Sequence, residues 1–109
     1  MNKDDNQLTI FVISDSIGET GELIAKSSAR QFEKENYEII RYPYHNSIEQ
    51  IKPVLEKASE IKNSLIVYTN VVKETRDFIE EKTHELKLHT VDVMGEPLLQ
   101  IQDILGYEP

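Results

Sequence analysis

The chain has 109 residues, no cysteine, 29% charged residues and a formal net charge of −8. That length suits a single hydrophobic core, and the lack of cysteine excludes disulfides, thiolate metal sites and a Cys nucleophile. An acidic chain in which no two basic residues are adjacent argues against a nucleic-acid partner or an anionic membrane surface.

Residues 1–7 are polar and lack the apolar segment of a signal peptide, and no apolar run approaches membrane-spanning length. A cytoplasmic protein with a flexible tail at 1–7 is expected. Residues 8–14 (LTIFVIS) are apolar almost throughout, the pattern of a strand covered on both faces. A helix is predicted from Glu19 to about Asn36, with Gly21, Ala25, Ser28 and Phe32 on one face. Residues 37–42 (YEIIRY) read as a second strand ended by Pro43. Asn46 or Ser47 can cap a second helix that buries Ile51, Val54, Leu55, Ala58 and Ile61. Pro53 is awkward inside it, so its regular part is expected to start near Pro53 after a loose turn.

Residues 64–69 (SLIVYT) form a third apolar strand. Asn70 is expected to cap a third helix with a stripe of Val72, Thr75, Phe78, Ile79, Lys82 and Leu86. Residues 88–93 (LHTVDV) read as a fourth strand, and 97–105 as a short helix opened by Pro97 and stopped by Gly106. The order β-α-β-α-β-α-β-α implies an open, doubly wound α/β fold, with a mainly parallel four-stranded sheet and helices on both faces. One domain at 8–106 is expected, with a linker beginning at 107. No internal repeat or low-complexity tract interrupts it.

In such sheets ligands bind beyond the carboxyl ends of strands, where the strand order reverses. The turn after the first strand, SDSIGETG at 14–21, runs there into a helix N-terminus, whose free N–H groups and partial positive charge suit an anion. Ser14, Ser16 and Thr20 could donate hydrogen bonds, and Gly18 would let an anion approach the backbone. A competing reading makes Ser16 and Glu19 a capping box with no ligand at all, and Asp15 and Glu19 bring negative charge to the supposed anion site. The two readings balance on chemistry alone.

Known phosphate motifs fail here. A dinucleotide-binding glycine motif would need glycine at Ser16 and an acidic residue where Arg41 and Tyr42 end the second strand. A flavodoxin-like phosphate loop would resemble 16–20, but Ile17 adds a residue, and no nucleoside-triphosphate P-loop is present. Arg41 could offer a guanidinium to phosphate, with Tyr42, Tyr44 and His45 beside it, although packing at the sheet rim is the commoner role of such residues. Asp92 could bind metal or orient a substrate, but a strand-end Asp more often caps the following turn. His84 and His89 lack ligand spacing, and no metal site is expected.

Taken together, ISDSIGETGELIAKSSARQF, RYPY, VYTNV and VDVMGEPL resemble the N-terminal part of the pyruvate, phosphate dikinase and phosphoenolpyruvate synthase regulatory proteins, over about residues 9–99. The family pattern has Pro directly after Met-Gly, where this chain inserts Glu96. The resemblance implies a bifunctional Ser/Thr kinase and phosphotransferase. It would inactivate the dikinase or synthase by phosphorylating an active-site threonine with ADP, and reactivate it by phosphorolysis with inorganic phosphate, yielding pyrophosphate. The family's P-loop lies in a C-terminal half, so this domain alone is expected to bind no cofactor and to show no kinase activity.

On that reading Ser14, Asp15, Ser16, Gly18, Glu19, Thr20 and Arg41 form the functional edge. Asp15 is the only plausible general base in the turn. The expected partners are the dikinase or synthase and the C-terminal P-loop domain, with a homodimer left open. The alternatives are a docking or dimerisation module of the same protein, and a stand-alone nucleotide- or flavin-phosphate-binding domain.

Overall fold

The two most continuously apolar segments form the middle of the sheet. The computed structural model describes residues 7–32 and 36–109. In it β1 (Gln7–Ile13) and β3 (Ser64–Tyr68) lie between β2 (Asn36–Tyr42) and β4 (His89–Asp92), in the order β2-β1-β3-β4. All three pairings are parallel. A strand covered on both faces needs apolar side chains at successive positions, and Ile10, Phe11, Val12 and Ile13 are all buried. The short outer strand β4 instead alternates between exposed and half-buried.

Helices α1 (Glu19–Ala29), α2 (Ile48–Ser59), α3 (Lys73–Glu85) and α4 (Gly95–Leu105) follow the strands in strict alternation. Phe11, Ile13, Ile66 and Tyr68 meet Ile51, Val54, Leu55, Ala58 and Ile79 from α2 and α3 on one face. Ile10, Val12 and Val67 meet Ala25 and Ala29 of α1 on the other. This is the expected open α/β architecture.

Several boundaries differ from the sequence reading. Gln7 is not tail but the first residue of β1, in register with Asn36; residues 1–6 of the expected tail lie outside the described residues. Helix α1 ends at Ala29 and buries Gly21, Ala25 and Ala29, so Ser28 and Phe32 are exposed. The 4-4 spacing of small residues sets this face, and Gly21 lies so close to the sheet that a Cβ there would come 2.7 Å from Val12 Cγ1.

Helix α2 begins at Ile48 with Pro53 inside it, not after a loose turn. Ser47 caps it, its Oγ accepting from Gln50 N at 3.2 Å,. The bond that Pro53 cannot donate would go to the carbonyl of Glu49. Both residues are exposed, so water can take that carbonyl. Asn70 is not the cap of α3; that position falls to Val72. Helix α4 starts at Gly95 rather than Pro97, which places Glu96 and Pro97 in its first turn, where N–H groups have no helical acceptor and proline is tolerated. Gly106, at φ +81°, ends it as expected,.

Candidate functional site

The strand order reverses between β1 and β3, so the crevice beyond their carboxyl ends is the topological switch point,. Ser14 leaves β1 with its side chain fully buried. Its Oγ accepts hydrogen bonds from Ser16 N and from Thr69 Oγ1, each at 3.0 Å. The first bond closes a local hydroxyl turn; the second ties the ends of β1 and β3 together. Ser16 Oγ lies 3.3 Å from Ser14 Oγ. Asp15 Oδ2 accepts from Val71 N at 3.3 Å, across the crevice.

The loop after β2 clamps the same turn. Tyr44 N donates to Ser16 O and His45 N to Ser14 O, both at 2.8 Å. Tyr44 holds φ +57°, a left-handed conformation uncommon outside glycine,. Asn70 is buried and its Nδ2 donates to His45 O at 2.9 Å, so its task is to hold this loop. Its Oδ1 has no hydrogen-bond partner among the described residues.

Gly18 is the N-cap residue of α1, at φ +88°, and no side chain caps the helix. The capping box that competed with the anion reading, between Ser16 and Glu19, does not form, because Ser16 lies two residues before the cap and its hydroxyl turns to Ser14. Among the described residues, no side-chain cap therefore takes up the opening N–H groups of α1. An anion placed at such a terminus gains about 0.3–1 kcal/mol on the surface, and more when partly buried.

A cavity of about 260 Å³ lies against this terminus, lined by Ser14, Asp15, Ser16, Ile17, Gly18, Glu19 and Thr20, with Thr69 and Met94 opposite. Six of the seven residues singled out from the sequence thus share one wall. The seventh, Arg41, does not line the cavity. Its Nε and Nη2 donate to Ile17 O at 3.1 and 2.8 Å, and Nη1 pairs with Glu22. Its stem lies over Gly18, where a Cβ would come 3.4 Å from Arg41 Cγ. Its visible partners are a carbonyl and a carboxylate of the turn and helix.

Asp92, Tyr42 and His45 have structural partners. Asp92 Oδ1 accepts from Gly95 N at 2.9 Å and Oδ2 from Arg76 Nη2 at 2.7 Å. That bond to Asp92 is the main reason the Arg76 guanidinium is held above its ordinary value. Tyr42 stacks on Phe11 and meets the His45 ring edge-on. His84 and His89 are exposed, and among the described residues no group of three His, Cys, Asp or Glu could hold a metal ion. Burial, reinforced by donation to Glu80 at 2.8 Å, pushes the Tyr68 phenol well above its usual range. Thr69 and Met94 were not singled out from the sequence, while Asn70 was read as a helix cap and Tyr44 as a residue of the sheet rim, and both instead hold the loop after β2 against the turn.

Fold and crevice together define an open α/β domain with a hydroxyl-lined pocket at its switch point. The chain belongs to the kinase/pyrophosphorylase family, whose description matches residues 10–109. It is 39% identical over 100 residues to a protein of Carboxydothermus hydrogenoformans, covering 92% of this chain and 36% of that one. It is 43% identical over 98 residues to one of Alkaliphilus oremlandii, covering 90% and 35%. A protein of Shouchella clausii is 38% identical over 109 residues, covering 100% and 40%. All three carry the name pyruvate, phosphate dikinase regulatory protein, assigned provisionally. The chain thus spans less than half the length of these curated relatives. No helix among the described residues is long and apolar enough to cross a membrane.

Proposed function

We propose that this chain is the phosphate-handling domain of a regulatory protein that inactivates pyruvate, phosphate dikinase, or phosphoenolpyruvate synthase, by ADP-dependent phosphorylation of a threonine. The same protein would restore the enzyme by passing that phosphoryl group to inorganic phosphate, releasing pyrophosphate. Family membership supports the reaction class, and the names of the relatives support the dikinase as target. The observation that carries the domain's own role is the uncapped N-terminus of α1 opening onto the hydroxyl-lined cavity.

In this reading the N–H groups of α1, with Ser16 and Thr20, hold an inorganic phosphate or the transferring phosphoryl group, and ADP is held by the P-loop half. Val71 N fixes one oxygen of Asp15 at the cavity wall, and the other is left to take the proton of the threonine hydroxyl. The threonine oxygen then bonds to the terminal phosphorus of ADP as the bond to AMP breaks, an in-line transfer that depends on positioning and charge stabilisation. Ser14, with its hydroxyl hydrogen-bonded inside the turn, shapes the cradle.

The test is activity of the full-length protein carrying Asp15→Asn or Ser16→Ala, beside titration of this chain with inorganic phosphate and pyrophosphate followed by amide NMR shifts. Loss of both transfers in Asp15→Asn, with phosphate-dependent shifts confined to 16–21, is expected. Near-normal turnover in both variants would overturn the chemical role and leave a docking module in its place.

A further inference from the structure

The half of the sheet around β4 is unfinished. Among the described residues, strand β4 pairs only with β3. Val93 N donates to Tyr68 O at 3.0 Å, so by alternation the backbone groups of Thr90 and Asp92 point away from the sheet. On the α1 face, α1 packs over β1, β2 and β3. Val91, two residues before Val93 on that face, is 40% exposed.

Helix α4 is in the same condition. None of its 11 residues is buried, and Ile101, Ile104 and Leu105 are 53%, 80% and 54% exposed. A helix this short holds its shape by burying an apolar face, not by propensity, and residues 98, 101 and 105 form such a stripe. Helix α4 also stands on a definite side. It shares a cavity of about 520 Å³ with α3, lined by Leu98, Leu99 and Gln102 from one helix and Arg76 and Glu80 from the other. The connections through α2 and α3 each cross this same face of the sheet, both moving the chain from β2 towards the β4 side. Parallel crossovers keep one hand. A third in that sense, through α4, delivers its strand to the free edge of β4.

We propose that in the full-length protein a fifth parallel strand, following α4, pairs with the open edge of β4, and that the apolar stripe of α4 closes over it. The occupant is a segment of the protein's own chain. Curated relatives are long enough to supply it, since this chain spans 36% to 40% of two of them. A second copy is the competing occupant, but a two-fold axis would set two β4 edges antiparallel, whereas the crossover through α4 delivers a parallel strand. The inference rests on topology and family length, independently of any anion in the crevice.

Amide hydrogen exchange of the full-length gene product, at two protein concentrations tenfold apart, tests it. The outward amides of Thr90 and Asp92 should be protected at least a hundredfold over unstructured values, equally at both concentrations. Thr90→Pro should destabilise the full-length protein, because proline is tolerated only on an unpaired edge. Unprotected amides with a harmless Thr90→Pro overturn the proposal. So does protection that grows with concentration, which would assign the edge to a second copy, or a coding sequence that ends at Pro109.

Discussion

Replacing Arg41 by Met keeps the aliphatic stem over Gly18 and removes the guanidinium, so it isolates the strap that holds the turn 16–18. Two donors on the single carbonyl of Ile17, at 3.1 and 2.8 Å, act together as about one charge-assisted hydrogen bond, worth ~1.5–3 kcal/mol where well desolvated. The ion pair with Glu22 is more open, with side chains 38% and 29% exposed, which places it in the range of about 0–1 kcal/mol. Since the strap is itself partly hydrated, the expected loss is about 1–2 kcal/mol. Urea unfolding followed by circular dichroism reads the global part, and amide exchange of Ser16 and Gly18 reads the local part. About 1.4 kcal/mol of local loss speeds exchange tenfold. Arg41→Lys, which keeps the charge but not the forked donors, should recover only part of it. An unchanged urea midpoint together with unchanged exchange at Ser16 and Gly18 would refute the reasoning, and would free Arg41 for the cavity's ligand.

Gly21→Ala should destabilise by about 1–3 kcal/mol, the usual range for overpacking, although alanine is the better helix former by about 1 kcal/mol. The added Cβ would come 2.7 Å from Val12 Cγ1; a raised melting temperature would show that α1 lifts off the sheet without cost. Tyr68 predicts a pH dependence. The folded state holds its proton more tightly than the unfolded chain does, so the contribution is complete below the ordinary phenol value of about 10 and declines as the pH rises beyond it. Urea midpoints between pH 8 and 11 should fall more steeply in the wild type than in Tyr68→Phe, and parallel curves would refute this.

The crevice was legible because its residues are contiguous. Strand, turn and helix follow one another at 8–29, so Ser14, Asp15, Ser16, Gly18, Glu19 and Thr20 necessarily come to one sheet edge, and the cavity wall follows the sequence. Thr69 and Met94 lie 55 and 80 residues from Ser14 in the numbering, and only the order β2-β1-β3-β4 brings them opposite. Arg41 was placed at the correct edge, yet its partners depend on the side of the turn from which β2 approaches.

The sequence by itself determined the alternation of elements, the parallel sheet and the burial of the first strand on both faces, because the period and length of apolar runs are local properties that burial reads directly. Tertiary structure decided what competes locally. Ser16 had the spacing of a cap, yet its hydroxyl turned to Ser14, because Gly18 in a left-handed conformation starts the helix two residues later. Asn70 had the composition of a cap, yet the β2–α2 loop lay within reach of its amide. Pro53 is tolerated within α2 because it and Glu49, whose carbonyl loses its helical donor, are exposed,. In each case a short polar side chain or a proline had two acceptable local states, and packing chose between them. His45 takes the Asn70 amide, Tyr44 N clamps the Ser16 carbonyl from the loop after β2, and Pro53 lies on the exposed face of a helix packed on the sheet.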